Sequence, residues 1–169
     1  AISVAEVTEA ADVVLTVLPT LDTVETVFLG DDGVIAYARP GQVLIDHSTV
    51  SPDLSRRIAD CARQKGAGFL DIPVSGGPGG AQEGTLTMMA GGERATFDSA
   101  LPVLSVLGKN IHYCGPSGAG TVVKLVNQLL VGIHTAAAAE ALVFGTKAGA
   151  DPQVLLDVIG TSFGGSTML

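Results

Sequence analysis

The sequence predicts an α/β fold: a parallel sheet covered by helices on both faces, then one long apolar helix that opens an all-helical part. Three observations predict this. Short runs of continuous apolar, β-branched residues recur between stretches of helical spacing, the pattern of strands buried on both faces. That alternation stops near Gly115. Beyond it, Thr121 to Ala148 reads as one uninterrupted helix, about 40 Å long at ~1.5 Å per residue.

The elements follow in order. Ala11-Asp12 leads into Val13–Leu18, a β-branched run stopped by Pro19, which predicts a buried strand. A helix is predicted over Leu21–Leu29, ending in the turn residues Gly30, Asp31, Asp32 and Gly33. Val43–Asp46 is a second buried strand. Ser51-Pro52-Asp53 then starts a helix, because Ser caps and Pro is tolerated in the first turn; it runs to about Lys65 and stops at Gly66. Gly68–Asp71 makes a third short strand. From Thr85 the pattern changes: Thr85–Ala90 reads as a strand, Glu93–Leu107 as a helix and Asn110–Cys114 as a last strand. After the long helix, Pro152–Ile159 offers one more short helix before a glycine-rich tail. So little chain cannot enclose the long helix, which is apolar on nearly all sides and needs partners around it.

Composition narrows the function. The chain has 169 residues, 47% of them hydrophobic and 15% charged, which excludes disorder. The 22 glycines and 8 prolines show no collagen-like period. Nine basic against seventeen acidic residues give a net charge of −8, and no Lys/Arg cluster occurs. No nucleic-acid partner and no anionic membrane surface is therefore expected. Cys61 and Cys114 form no CxxC pair, and the N-terminus lacks the basic-then-apolar layout of a signal peptide, so a reducing, cytoplasmic setting is expected. The fifteen uncharged residues between Lys124 and Glu140 fall short of the roughly 20 needed to span a bilayer, and they include Asn127, Gln128, His134 and Thr135. They are expected to be buried in protein.

Two glycine-rich segments invite a ligand. Ser75-Gly76-Gly77-Pro78-Gly79-Gly80 lies just beyond a predicted strand's carboxyl end, where open α/β sheets bind ligands. It fits either a flexible surface turn or an anion cradle of backbone N–H groups with the Ser75 hydroxyl. Gly115–Lys124 suggests a phosphate cradle, but Thr121 follows Gly120 where a P-loop needs Lys, and G-x-x-G-x-G is not G-x-G-x-x-G. Nucleotide phosphate binding is rejected there. What remains is the helix: Lys124, Asn127 and Gln128 fall at i, i+3 and i+4, one polar stripe on an apolar rod. Lys124 is either a snorkelling lysine or a desolvated amine able to exchange a proton near neutral pH, with amides holding a substrate. His47, His112 and His134 share no metal-ligand spacing, so no metal is expected. Neither cysteine has an acid–base partner nearby, and no G-x-S-x-G elbow exists.

These motifs, in this order, resemble the β-hydroxyacid dehydrogenases: 3-hydroxyisobutyrate dehydrogenase, tartronate semialdehyde (2-hydroxy-3-oxopropionate) reductase and the glyoxylate/succinic semialdehyde reductases, with 6-phosphogluconate dehydrogenase more distant. Val17-Leu18-Pro19 is similar to the family's strand-end Leu-Pro, and Asp46-His47-Ser48-Thr49 to its D-x-S-T segment. Asp71-Ile72-Pro73-Val74-Ser75-Gly76-Gly77 resembles its D-x-P-V-S-G-G signature, which Gly84–Gly92 continues. Gly118–Gln128 is similar to the start of its catalytic helix.

The resemblance implies a partial Rossmann-type domain over 1–115, and over 116–169 an interdomain helix with the beginning of an all-α domain. It implies an enzyme that uses NAD or NADP to interconvert a small 3-hydroxyacid and its semialdehyde or oxo acid. Lys124 is then the general acid/base. Ser75, Gly76 and Gly77 hold the substrate carboxylate, Asn127 orients the substrate with Gln128 helping, and Leu18, Pro19, Thr23 and Thr49 line the nicotinamide-ribose side. Asn-Gln after the lysine leans slightly toward the tartronate semialdehyde reductases. The chain departs from the family in lacking the first strand, the G-x-G-x-x-G loop and the residue that selects NAD or NADP, and in stopping at Leu169. It reads as an internal piece that alone binds cofactor poorly and turns over little. A homo-oligomer is expected, because the long helix needs cover. The competing reading is a non-catalytic dehydrogenase-like binding module, against which Lys124 is the discriminating residue.

Overall fold

Six strands and eight helices alternate along residues 3–169, the part of the chain that the structure, a computed structural model, describes. Helix α1 (Val4–Ala10) starts where the Ser3 hydroxyl accepts from the Glu6 amide. Strand β1 (Val13–Thr16) feeds helix α2 (Leu21–Leu29), capped by Thr20 on the Thr23 amide. A one-turn helix α3 (Val34–Tyr37) precedes β2 (Val43–Asp46). Helix α4 (Pro52–Gln64) begins at Ser51, whose hydroxyl accepts from the Leu54 amide, and leads to β3 (Gly68–Asp71). The sequence pattern located β2, α2 and β3 with these bounds. It missed α1 and α3, which are too short for a helical period to stand out.

Strands β1, β2 and β3 are parallel, pairing Val13 with Val43 and Val43 with Gly68, so that Thr16, Asp46 and Asp71 form a row at their carboxyl ends. Here the expectation of a wholly parallel sheet fails. Strand β4 (Val74–Ser75) and helix α5 (Gly77–Glu83) follow β3, and β5 (Thr87–Gly92) then returns antiparallel to both β3 and β4. A parallel return needs a crossover of about a dozen residues or more back to the starting edge, and the seven-residue α5 does not supply one. Helix α6 (Arg94–Leu107), at fourteen residues, does, and β6 (Asn110–Gly115) lies parallel to β5. The sheet is mixed.

Both faces carry helices. Val24, Phe28, Leu44, Leu54, Ile58 and Phe69 pack on one face, where the Phe28 and Phe69 rings meet edge to face at 5.6 Å. Ile45, Leu70, Met88, Phe97 and Leu104 pack on the other. Adjacent Leu44 and Ile45 point to opposite cores, as the pleat requires. The expectation that Val13–Leu18 is wholly buried is corrected: Leu15 and Val17 are exposed, because α6 packs chiefly on β3, β5 and β6.

The chain divides into two compact units, Ala1–Leu125 and Val126–Leu169, with the break inside helix α7 (Ala119–Lys147). In the second unit, helix α8 (Pro152–Gly160) is capped by Asp151 on the Gln153 and Val154 amides. Its Leu155 occupies the space a side chain at Gly145 would need. The expectation that α7 is enclosed is not met by the described residues. Leu129, Leu130, Ile133, Val143 and Phe144 are all exposed, since α8 alone offers too little surface to cover them. By length and composition alone, α7 is also long and apolar enough to cross a membrane.

Candidate functional site at the carboxyl ends of the parallel strands

Asp46 organises the edge formed by β1 and β2. One of its oxygens, Oδ1, accepts from the Thr16 hydroxyl at 2.8 Å, the Ser48 hydroxyl at 2.6 Å and the Ser48 amide at 3.1 Å. The Ser48 hydroxyl in turn accepts from the Leu18 amide at 2.9 Å. Three donors on one oxygen offset the cost of burying the carboxylate. They also tie the segment after β1 to the segment after β2. Of the residues expected beside a nicotinamide, Leu18 is half-buried while Pro19 and Thr49 are exposed on these segments. Thr23 stands in the first turn of α2, its hydroxyl 2.7 Å from that of Thr20.

His47 closes the next gap. Its Nδ1 lies 2.7 Å from the Ile72 carbonyl oxygen, which can only accept, so Nδ1 carries the proton and Nε2 a lone pair. Nε2 is buried without a hydrogen-bond partner. Burial lowers the imidazole pKa, against weaker opposing effects of the Ile72 bond and the Asp46 charge. A lowered folded-state pKa means that the unfolded chain takes the proton first as pH falls. Stability present above the ordinary histidine range, about 6.5, is therefore lost below it, with a slope of up to about 1.4 kcal/mol per pH unit. Thermal unfolding followed against pH should show that acid loss, and His47→Asn should flatten it; an equally steep curve in the variant would assign the loss to other groups.

The glycine segment starts helix α5. Ser75 pairs with Thr87 across β4 and β5 and is half-buried. Gly76 has φ 134° and Gly77 φ 62°, both in the region that side-chain-bearing residues avoid. A Cβ at Gly77 would meet nothing within 4 Å, so that side of the segment is open.

Asp71, four residues before Ser75, brings the long helix to the same edge. Its Oδ1 accepts from the Gly118 amide at 2.7 Å; its Oδ2 accepts from the Thr121 amide at 2.8 Å and the Thr121 hydroxyl at 3.0 Å. Burial pushes this carboxyl above its ordinary range, opposed by the same donors. One turn further, Lys124 is 8% exposed and has no hydrogen-bond or ion-pair partner among the described residues. Loss of water around it lowers its pKa from the ordinary lysine value. Both observations favour the desolvated-amine alternative over the snorkelling one. Asn127 and Gln128 follow at three and four residues, in the second unit, with their side-chain amides 3.4 Å apart.

The first unit thus gathers Leu18, Pro19, Thr23, Thr49 and Ser75–Gly77 along one edge and anchors the Lys124 turn there through Asp71. Asp46, His47, Ser48, Asp71 and Thr121 had no role in the sequence reading beyond membership of motifs. One signal was available: both aspartates end apolar strands, and a carboxylate there is tolerable only where donors converge. Among the described residues no three His, Cys, Asp or Glu side chains gather to hold a metal ion.

Residues 1–115 match the family described as the NAD binding domain of 6-phosphogluconate dehydrogenase, and residues 118–169 the one described as NAD-binding of NADP-dependent 3-hydroxyisobutyrate dehydrogenase. The chain is 46% identical over 161 residues to 2-(hydroxymethyl)glutarate dehydrogenase of Eubacterium barkeri, covering 95% of this chain and 54% of that protein. Against 3-hydroxyisobutyrate dehydrogenase of Pseudomonas aeruginosa the identity is 47%, with the same coverage. Among solved structures, Mycobacterium tuberculosis 3-hydroxyisobutyrate dehydrogenase with L-serine superposes with a TM-score of 0.87 at 38% identity, covering 98% of this chain and 56% of that one. The chain spans about half the length of the relatives it matches.

Proposed function

The chain belongs to the β-hydroxyacid dehydrogenase family, and on that premise we propose that the whole protein moves hydride between NAD or NADP and a small 3-hydroxyacid, interconverting it with its semialdehyde or oxo acid. The observation that carries this reading is the largely buried side chain of Lys124, whose amine has no hydrogen-bond or ion-pair partner among the described residues, held at the edge of the sheet where the exposed Thr49, Pro19 and Gly77 leave room for ligands. The nicotinamide supplies the hydride acceptor or donor. Its fit rests on the open carboxyl edge of β1 and β2, the place where such sheets take dinucleotides. Leu18, Pro19, Thr23 and Thr49 would line its ribose side.

Each residue then has one task. The Ser75 hydroxyl and the backbone of Gly76 and Gly77 bind the substrate carboxylate, against the chain's overall negative charge. Asn127 orients the substrate hydroxyl, with Gln128 beside it. In oxidation the neutral Lys124 amine takes the hydroxyl proton as hydride leaves the carbon; in reduction its ammonium returns a proton to the carbonyl oxygen. Burial suits it to this work, because a lysine with a lowered pKa can hold either state closer to neutral pH. The exposed apolar residues of α7 suit a protein partner, and we propose a cytoplasmic homo-oligomer.

The test uses the whole protein with 3-hydroxyisobutyrate and related 3-hydroxyacids, NAD and NADP being tried in turn while reduced nicotinamide is followed. Oxidation should speed up as pH rises through one ionisation lying below the ordinary lysine range, and reduction should slow through the same one. Light scattering on that preparation should give more than one subunit. Failure of every acid–cofactor pair to transfer hydride would remove the reading.

A further inference from the structure

Resting on that reading, we propose that Asp71 is a positioning residue of the reaction: its carboxylate fixes the first turn of α7 against the sheet and thereby places the Lys124 amine. The carboxylate, 1% exposed, takes donors from both ends of that turn, Gly118 on one oxygen and Thr121 on the other. A third bond, from the Thr121 hydroxyl, locks the side chain that stands three residues before the lysine. The Ser55 hydroxyl, 3.1 Å from that of Thr121, extends the anchor to α4. At Gly91 and Gly120 the two backbones come directly together. A Cβ at Gly91 would come within 2.6 Å of Asp71 Oδ1 and 2.7 Å of the Gly120 amide nitrogen, and one at Gly120 within 2.5 Å of the Asp71 carbonyl oxygen. The helix start is thus seated backbone to backbone on the sheet, with Asp71 accepting its N–H groups and the Arg56 side chain beside Gly118.

Lys124 itself adds no hydrogen bond or ion pair to this seat. Its location is inherited from the turn before it. Asp71 also opens the segment that reaches Ser75 four residues later, so one residue joins the proposed carboxylate grip to the proposed proton donor. A small displacement of α7 along the sheet would move the amine relative to a substrate held at Ser75, and such misplacements are costly to turnover even when binding survives.

The variant Asp71→Asn keeps the volume and leaves one acceptor oxygen, so an N–H must face either Gly118 or Thr121. In the whole protein, kcat should fall on the order of 10-fold to 100-fold, with cofactor Kd unchanged. Independently of turnover, the rate of reductive methylation at Lys124, read by peptide mass spectrometry against the exposed Lys109, should rise as the amine loses its seat. Thr121→Val should reproduce a smaller version of both effects, and Thr121→Ser should restore wild-type behaviour. Leu104→Ala, which loosens the core under α6 on the far face, controls for simple destabilisation and should leave Lys124 labelling unchanged. Wild-type kcat and labelling in Asp71→Asn would overturn the proposal, as would the same labelling change in Leu104→Ala. Should Asp71→Asn fail to fold, the Thr121 pair decides, and equal behaviour of Val and Ser there counts against it. Absence of hydride transfer in the wild type would instead defeat the proposed function, while the labelling comparison would still report on the anchor.

Discussion

Lys124→Ala in the whole protein should lower kcat by about 10²- to 10⁴-fold, the range that a positioned acid/base contributes, while leaving cofactor affinity nearly unchanged. The reasons are local. The side chain holds no hydrogen bond or ion pair, so its removal leaves the first turn of α7 seated on Asp71 and Thr121. The proposed nicotinamide side is organised separately, by hydrogen bonds among Asp46, Ser48 and Leu18. Truncation removes a partly desolvated amine together with its packed aliphatic stem, two effects of opposite sign, so thermal stability should change little. Lys124→Arg should not rescue, because a guanidinium does not give up its proton in the working pH range. Steady-state kinetics and a fluorescence titration with reduced cofactor read both halves of this expectation. A variant that turns over at the wild-type rate would remove Lys124 from the acid/base role.

The largest effect on stability is expected at Gly120→Ala. The new Cβ would be driven into the Met89 carbonyl oxygen, and would lie 2.5 Å from the Asp71 carbonyl oxygen and 2.9 Å from the Gly91 amide nitrogen. All three are main-chain atoms in the sheet, so no rotamer change relieves the collision. Either α7 lifts off β3 and β5, breaking the Asp71 anchor, or the strands part. Overpacking in such a site costs about 3 kcal/mol, the upper end of its usual range. Scanning calorimetry of the whole protein checks the figure. Gly77→Ala offers the contrast: its Cβ has open space and its penalty is the positive φ alone, so it should cost less. A Gly120→Ala protein as stable as wild type would show that the helix start is not packed directly on the sheet.

The positions of most elements were legible because their causes are local. Short apolar runs marked β1, β2 and β3, β-branched in the first two, and the serine cap with proline behind it marked α4. Lys124, Asn127 and Gln128 stood out for a similar reason: polar residues at helical spacing break an otherwise apolar pattern. The very short helices α1, α3 and α5 and the two-residue β4 carry too few residues for any period to show.

By itself, then, the amino-acid order determined an α/β chain with a long helix, an amine near that helix's start and a serine–glycine segment at a strand end. Only the folded molecule decided that β5 and β6 run against the first three strands, that His47 is buried with one nitrogen unpaired, and that Asp71 receives Gly118 and Thr121 from 47 and 50 residues away. The physical reason is that periodicity records which face of an element avoids water. It carries no information on which distant backbone will offer its N–H groups to a carboxylate once the faces have closed.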